Sequence, residues 1–231
     1  MMLLYTPHIT ARLSYIVGFF SKELFDDTPI RITSGREEFL AATGPRINYS
    51  AERLDGIFSL TPAPLLFESG IAAQTINCFE YKGHKAFFAT TGDFPFDIFA
   101  ASFYLLSRYE EYLPHEKDEY GRYAHKNSLA YKEGFLDIPM INYWLLELKL
   151  ALRRLYPDLI FRYPAFKFVP TYDIDLAYSY LFKGPVRNLG AGLKDLLTGQ
   201  WRRLSERIAV LRGRRQDPYD AYEWLDSLHL Y

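Results

Sequence analysis

Phe166-Lys167-Phe168-Val169-Pro170-Thr171-Tyr172-Asp173-Ile174-Asp175 is the stretch on which the reading of this chain turns. A β-branched and aromatic run ends in two carboxylates separated by one residue. Such a run predicts a strand, and side chains alternate along a strand, so Asp173 and Asp175 fall on one face at its C-terminal end. In α/β folds that end is where ligands and metals gather. Two like charges on one face repel, which favours a shared proton or a cation between them. The plainer alternative is a pair of solvated turn residues closing an ordinary core strand.

The 231 residues suffice for one large domain or two modest ones with a real core. Aromatics are abundant, with 19 Tyr and 18 Phe, which suits either a thick core or a carbohydrate-facing surface. A net charge of −1 gives no global field that would draw nucleic acid. Cys78 is the only cysteine, so an internal disulfide and a cysteine-based metal cluster are excluded. The start, Met1-Met2-Leu3-Leu4-Tyr5-Thr6-Pro7-His8, lacks the basic region, apolar core and small-residue cleavage site of a secretory leader. No apolar run reaches the length of a membrane span. These features predict a soluble chain in the cytoplasm.

Upstream of the central stretch, Thr6-Pro7 predicts a helix start, with Thr6 as cap and Pro7 at the first helical position. Ile9, Leu13, Ile16, Val17, Phe20 and Leu24 follow as one apolar stripe, and Asp26-Asp27-Thr28-Pro29 ends it. Short strands are expected at Ile30-Arg31-Ile32, Arg46-Ile47-Asn48-Tyr49 and Gly56-Ile57-Phe58-Ser59-Leu60, and a hairpin over 79–88 turning at Gly83. Phe96 to Leu113 predicts a helix apolar almost all round, and therefore buried between layers. The polar segment 114–134 holds His115 and His125, whose spacing matches no zinc motif and reads as loop histidines. Pro139 opens a helix with Ile141, Trp144, Leu145, Leu148, Leu152 and Leu155 on one face, and Pro157 stops it. No glycine-rich phosphate loop occurs, and Gly35-Arg36 is an ordinary strand-to-helix connection.

Beyond Asp175 the charge balance changes. Residues 176–216 carry nine Lys or Arg against Asp195 and Glu206, a local net of +7, while the remainder carries 18 basic and 26 acidic residues. Two short helices are expected, Asn188 to Leu197 and Trp201 to Leu211, the second with Leu204, Ile208 and Leu211 inward and its arginines outward. Such a basic amphipathic pair suits an anionic membrane surface or an acidic glycan, reached through Arg202, Arg203, Arg207, Arg212, Arg214 and Arg215. A solvated insertion whose arginines pair with acids of the same fold is the alternative. Asp217-Pro218 then predicts a last helix with Tyr222, Leu225 and Leu228 inward.

Three chemistries place Asp-x-Asp at a strand end. A metal-dependent deacetylase uses one Asp as general base and the other as metal ligand. A nucleotide-sugar glycosyltransferase holds a divalent metal against the diphosphate, and wants a nucleotide-binding half that the first 160 residues do not display. A haloacid-dehalogenase-type phosphatase makes the first Asp a nucleophile, and wants Thr or Val where Ala177 stands.

Phe168-Val169-Pro170-Thr171-Tyr172-Asp173-Ile174-Asp175 resembles the first motif of the polysaccharide deacetylases (NodB-homology, carbohydrate esterase family 4). It is closest to the Thr-His-Asp-Val-Asp variant of bacterial members that have a long N-terminal extension, with Tyr172 in place of the His. The stretches from Asp97 to Tyr112 and from Gly134 to Pro139 resemble that extension. The resemblance implies an N-terminal α/β extension domain with a mixed sheet over residues 1–160. It implies that 161–231 form the start of an incomplete (β/α) barrel-type deacetylase domain, comprising its first strand, the basic helical insertion and the first barrel helix. By the same resemblance Asp173 is the general base, Asp175 a ligand of Zn, Ni or Co, and a glycan the substrate. The family's common form has adjacent aspartates, whereas Ile174 separates them here. Its metal-binding His pair, catalytic Arg and closing His have no counterpart among the 56 residues after Asp175. The chain is therefore expected to be inactive alone, either needing the remainder of a catalytic domain or serving as a non-catalytic glycan- or partner-binding module.

Overall fold

Four short runs, Met2–Tyr5 (β1), Ile30–Thr33 (β2), Arg46–Tyr49 (β3) and Phe58–Leu60 (β4), pair side by side in the order β2-β1-β3-β4. Every pairing is parallel. A parallel sheet is covered on both faces, and β1 shows why its sequence is apolar throughout. Met2 and Leu4 enter the large core, whereas Leu3 and Tyr5 join a second cluster with Phe39 and Ile57 on the opposite side. The computed structural model describes residues 2–25, 29–163 and 165–229, and the chain divides into two compact units, Met1–Ala165 and Phe166–Tyr231.

The first unit is thus α/β with a four-stranded parallel sheet in place of the mixed sheet expected; antiparallel pairing occurs in a separate hairpin and in isolated bridges such as Leu60 to Gly92. That hairpin joins Phe79–Tyr81 (β5) to His84–Ala86 (β6). Its turn is Lys82-Gly83, both at positive φ (53° and 80°), which matches the right-handed twist of a two-residue hairpin.

Helix α1 spans Ala11–Leu24 and buries Leu13, Ile16, Val17, Phe20 and Leu24 against the sheet. Its cap is Thr10, whose hydroxyl accepts from the Leu13 N–H at 3.1 Å, and not Thr6. Thr6 is still held by the sheet, its N–H donating to the Thr33 carbonyl, so the helix starts later and Ile9 stays outside. Asp26 to Thr28, expected to end α1, lie outside the described residues. Arg36–Ala41 (α2) covers the other face through Phe39, which stacks on Tyr5 at 5.2 Å.

Ile98–Leu106 (α3) is shorter than the expected Phe96–Leu113 helix. Arg108 adopts a left-handed conformation at φ 52°, and a 3-10 turn over Tyr109–Tyr112 follows. Residues 98 to 104 are all buried, as a helix apolar all round requires. A short helix, Leu129–Lys132 (α4), precedes Met140–Leu155 (α5), which buries Met140, Trp144, Leu145, Leu148, Lys149 and Leu152. The Trp144 indole donates to the Lys85 carbonyl at 3.0 Å, so its ring is buried with no unsatisfied polar atom. Phe161 stacks on Phe25 at 5.7 Å and the Arg162 N–H donates to the Leu24 carbonyl, tying the chain after α5 into this unit.

The second unit contains three helices, Pro185–Leu197 (α6), Trp201–Leu211 (α7) and Tyr222–Leu228 (α8). Among its described residues no strand forms. Residues 166–175, expected as a strand, make no ladder. A strand is stabilised by hydrogen bonds to a neighbour and by a buried face, and neither is present. Phe166, Phe168 and Val169 are 93%, 82% and 71% exposed.

Candidate functional site

Asp217 organises the ground on which the paired aspartates stand. Its carboxylate accepts backbone N–H groups from Ser179 (2.6 Å), Tyr180 (2.7 Å), Leu181 (3.1 Å) and Tyr219 (3.1 Å). Burial would raise this carboxyl, but the four donors outweigh it and hold the group below its ordinary value. The sequence predicts Asp217 at the start of the last helix. It is instead a buried clamp joining the turn before α6 to the loop before α8, and the helix itself begins only at Tyr222.

The clamp fixes one wall of a small cleft, about 280 Å³, lined by Thr171, Tyr172, Asp173 and Ile174 on one side and Tyr219, Tyr222 and Leu225 on the other. Tyr172 meets His229 through its hydroxyl at 2.9 Å, with the rings tilted 5.6 Å apart. Tyr222 packs 5.8 Å from Tyr178. Both aspartates are exposed; Asp173 lines the cleft and Asp175 does not. The structure therefore brings one of the two predicted carboxylates against tyrosines and leaves the other outside. Tyr222 and Leu228, expected inward, are 38% and 48% exposed.

Chemically, the cleft offers one carboxylate, several phenol hydroxyls and aromatic walls, a set able to bind hydroxyl-bearing ligands. It does not by itself fit a resident metal. A catalytic divalent centre takes three protein ligands, and among the described residues no group of three His, Cys, Asp or Glu gathers that could hold an ion.

A second cleft, about 320 Å³, lies in the first unit and draws Tyr104, Arg108, Glu110 and Leu136 from the two stretches that carry the resemblance to the deacetylase extension. Tyr123 and His125 complete its wall. Burial raises the Glu110 carboxyl despite the Leu129 N–H that it accepts at 2.7 Å. Burial and the Glu110 and Glu111 charges push the Tyr123 phenol up to about 12. From the sequence, Glu110 and Glu111 are expected only as a charged helix end. The local signal was the charge itself, placed straight after a fully buried helix. The two histidines make separate contacts: the His115 Nδ1 meets the Leu113 carbonyl at 2.8 Å and its ring packs on Tyr123, whereas His125 packs edge-on to Tyr131.

Residues 2–157, from β1 to the residue that stops α5, match a family of unknown function, DUF7033. The chain belongs to this family. The DUF7033 match takes in the parallel sheet, the hairpin, α3 to α5 and the Glu110 cleft, and it ends before Asp173 and Asp175. Neither a curated protein nor a solved structure matches the chain.

Proposed function

We infer that this DUF7033 chain carries the N-terminal domain and first catalytic motif of a metal-dependent glycan deacetylase, and that it does not catalyse on its own. The observation that supports the reading is the placement of Asp173 in a cleft walled by Tyr172, Tyr219 and Tyr222, in the Thr-Tyr-Asp-Ile-Asp stretch that resembles the deacetylase motif. In this reading a glycan lies along the tyrosines, Asp173 acts as general base towards the attacking water, and Asp175 supplies one ligand to Zn, Ni or Co. Because Asp175 lies outside the cleft and no three ligands gather among the described residues, a metal would need ligands beyond this set, and what it would supply there is polarisation of the acetyl carbonyl. Among the described residues no further metal ligands gather, so in this reading catalysis draws on groups other than Asp173 and Asp175. The cytoplasm remains the proposed location.

The division of roles is testable by two variants in the longest natural form of the protein. Asp175→Asn weakens metal binding about tenfold or more, as removal of a ligand does. Asp173→Asn leaves the metal bound and abolishes turnover. Equal metal affinity in wild type and Asp175→Asn removes the assignment of Asp175. Mn²⁺-dependent retention of a nucleotide sugar would support the glycosyltransferase alternative instead.

A second reading, a non-catalytic module, has a specific observation in its favour: the second unit presents an apolar and basic helical surface that the deacetylase reading does not use.

A further inference from the structure

Helices α6 and α7 are inside out. The side chains of α6 that the unit buries are Asn188 and Asp195, and the one buried in α7 is Val210. The interior contact is polar: the Arg207 guanidinium donates to Asp195 at 2.9 Å and to Asn188 at 3.1 Å, and lies 4.8 Å over the Tyr180 ring. In α7, where Leu204, Ile208 and Leu211 are expected inward, Ile208 and Leu211 are 41% and 46% exposed, and the apolar side chains of α6 face out as well. Val186, Leu189, Leu193 and Leu197 are 83%, 79%, 57% and 78% exposed, and Trp201 is 64% exposed. Between the helices this side opens a groove of about 890 Å³, bounded by Leu189, Leu193, Leu196, Leu204, Ile208 and Leu211. An apolar surface of that extent on a small unit marks an interaction site.

The charges say what covers it. Only Asp195 and Glu206 are acidic among residues 176–216, and both are already engaged, with Arg207 and Arg215 respectively. Among the described residues Lys183, Arg187, Lys194, Arg202, Arg203, Arg212 and Arg214 have no acidic partner. A second copy of this chain would set two such faces, each with a local net of +7, against each other, a repulsion that disfavours self-association. Exposed Leu, Val and Trp along α6 and α7, on a stretch whose seven remaining Lys and Arg make no ion pair among the described residues, is the chemistry of a helix pair lying in an anionic lipid interface. Trp201, at the start of α7, suits the headgroup level, where an indole satisfies both its apolar ring and its N–H.

We propose that the α6–α7 hairpin is a docking surface for an anionic membrane, with the leucine face entering the acyl boundary and the free basic side chains meeting lipid phosphates. It is a peripheral contact: no helix among the described residues is long and apolar enough to cross a membrane. The inference is independent of the deacetylase reading.

Sedimentation of the 231-residue protein with phosphatidylcholine vesicles, with and without phosphatidylglycerol, tests it. The protein pellets with the anionic vesicles at least about tenfold more strongly than with the neutral ones, and added salt reverses much of this. Its fluorescence shifts to the blue on binding, and the shift is lost in Trp201→Phe. Leu193→Asp, placed on the exposed face where folding does not need it, loses vesicle binding with unchanged helical circular dichroism. No preference for anionic vesicles overturns the proposal. So does anionic binding that Leu193→Asp leaves intact, which is charge adsorption alone, and so does a stable dimer whose formation Leu193→Asp abolishes.

Discussion

The Tyr49 hydroxyl donates to the Asp97 carboxylate at 2.6 Å, joining the end of β3 to the start of α3 across 48 residues. Asp97 also accepts the N–H groups of Ala63 (2.7 Å), Phe99 (3.1 Å) and Ala100 (3.0 Å), so one fully buried carboxyl caps α3 and fixes the loop after β4. The cleft that holds Glu110 begins at the far end of the same helix, and its geometry depends on this anchor.

Truncating the anchor therefore leaves four donors in the core without an acceptor. Asp97→Ala is expected to cost about 3 kcal/mol or more, because each orphaned buried donor carries a desolvation penalty. Tyr49→Phe removes one donor and is expected to cost about 1 kcal/mol. Urea unfolding of the two variants checks both values, and equal effects would show that Asp97 is not the shared acceptor.

The same residue sets a pH dependence. Burial raises the Asp97 carboxyl from 3.8 to about 6, against the opposing pull of Tyr49 and the three N–H groups. A folded value above the unfolded one stabilises the protein at low pH. The contribution is complete below the unfolded value, near 4, and is lost as pH rises through 6. Its size is about 3 kcal/mol for a shift of this magnitude. Asp97→Asn does not titrate, so the stability difference between wild type and Asp97→Asn is expected to change by that amount between pH 4 and pH 7.

Asp217 has the opposite sign. Its folded value is depressed, so its contribution is present above the ordinary carboxylate value and lost as pH falls through the folded one. Asp217→Ala is expected to open the second unit selectively. Hydrogen exchange at the Ser179, Tyr180 and Leu181 amides should accelerate about tenfold or more, with the amides of β1 and β3 unchanged. Uniform acceleration through the whole chain would contradict the clamp.

Gly92 sits at φ 137°, and a Cβ there would stand 2.7 Å from the Ser59 carbonyl oxygen. That close approach lets the Asp93 carboxylate accept the Ser59 N–H at 2.8 Å, holding β4 at its middle residue. Gly92→Ala is expected to cost about 2 kcal/mol or more through strain and clash together. Thermal unfolding measures it, and a neutral substitution would show that this loop yields.

These anchors mark where the sequence was legible. The α1 and α5 stripes were readable because long helices repeat their apolar spacing over several turns, and the hairpin because Gly83 punctuates an aromatic-rich stretch from Phe79 to Phe88. β1 was not, since Met2–Tyr5 is buried on both faces and a strand of that kind shows no alternation. The Asp97–Tyr49 bond was invisible, as nothing local links residues 48 apart. In α6 and α7 periodicity revealed a stripe but not its direction, and the polar contact of Arg207, Asp195 and Asn188 decided that the leucines face outward. The Asp173–Asp175 pair was read from its strand-like context; the structure retains the cleft at Asp173 without the strand.

The central claim is that Asp173 is the base of a glycan deacetylase whose catalytic domain this chain begins. Acetate release from acetylated oligosaccharides by the longest natural form of the protein, loaded with Zn²⁺, Ni²⁺ or Co²⁺, tests it most directly. The account predicts release by the wild type, loss of at least about a hundredfold in Asp173→Asn, and none from residues 1–231 alone. Release that survives in Asp173→Asn, or release by residues 1–231 alone, would contradict it.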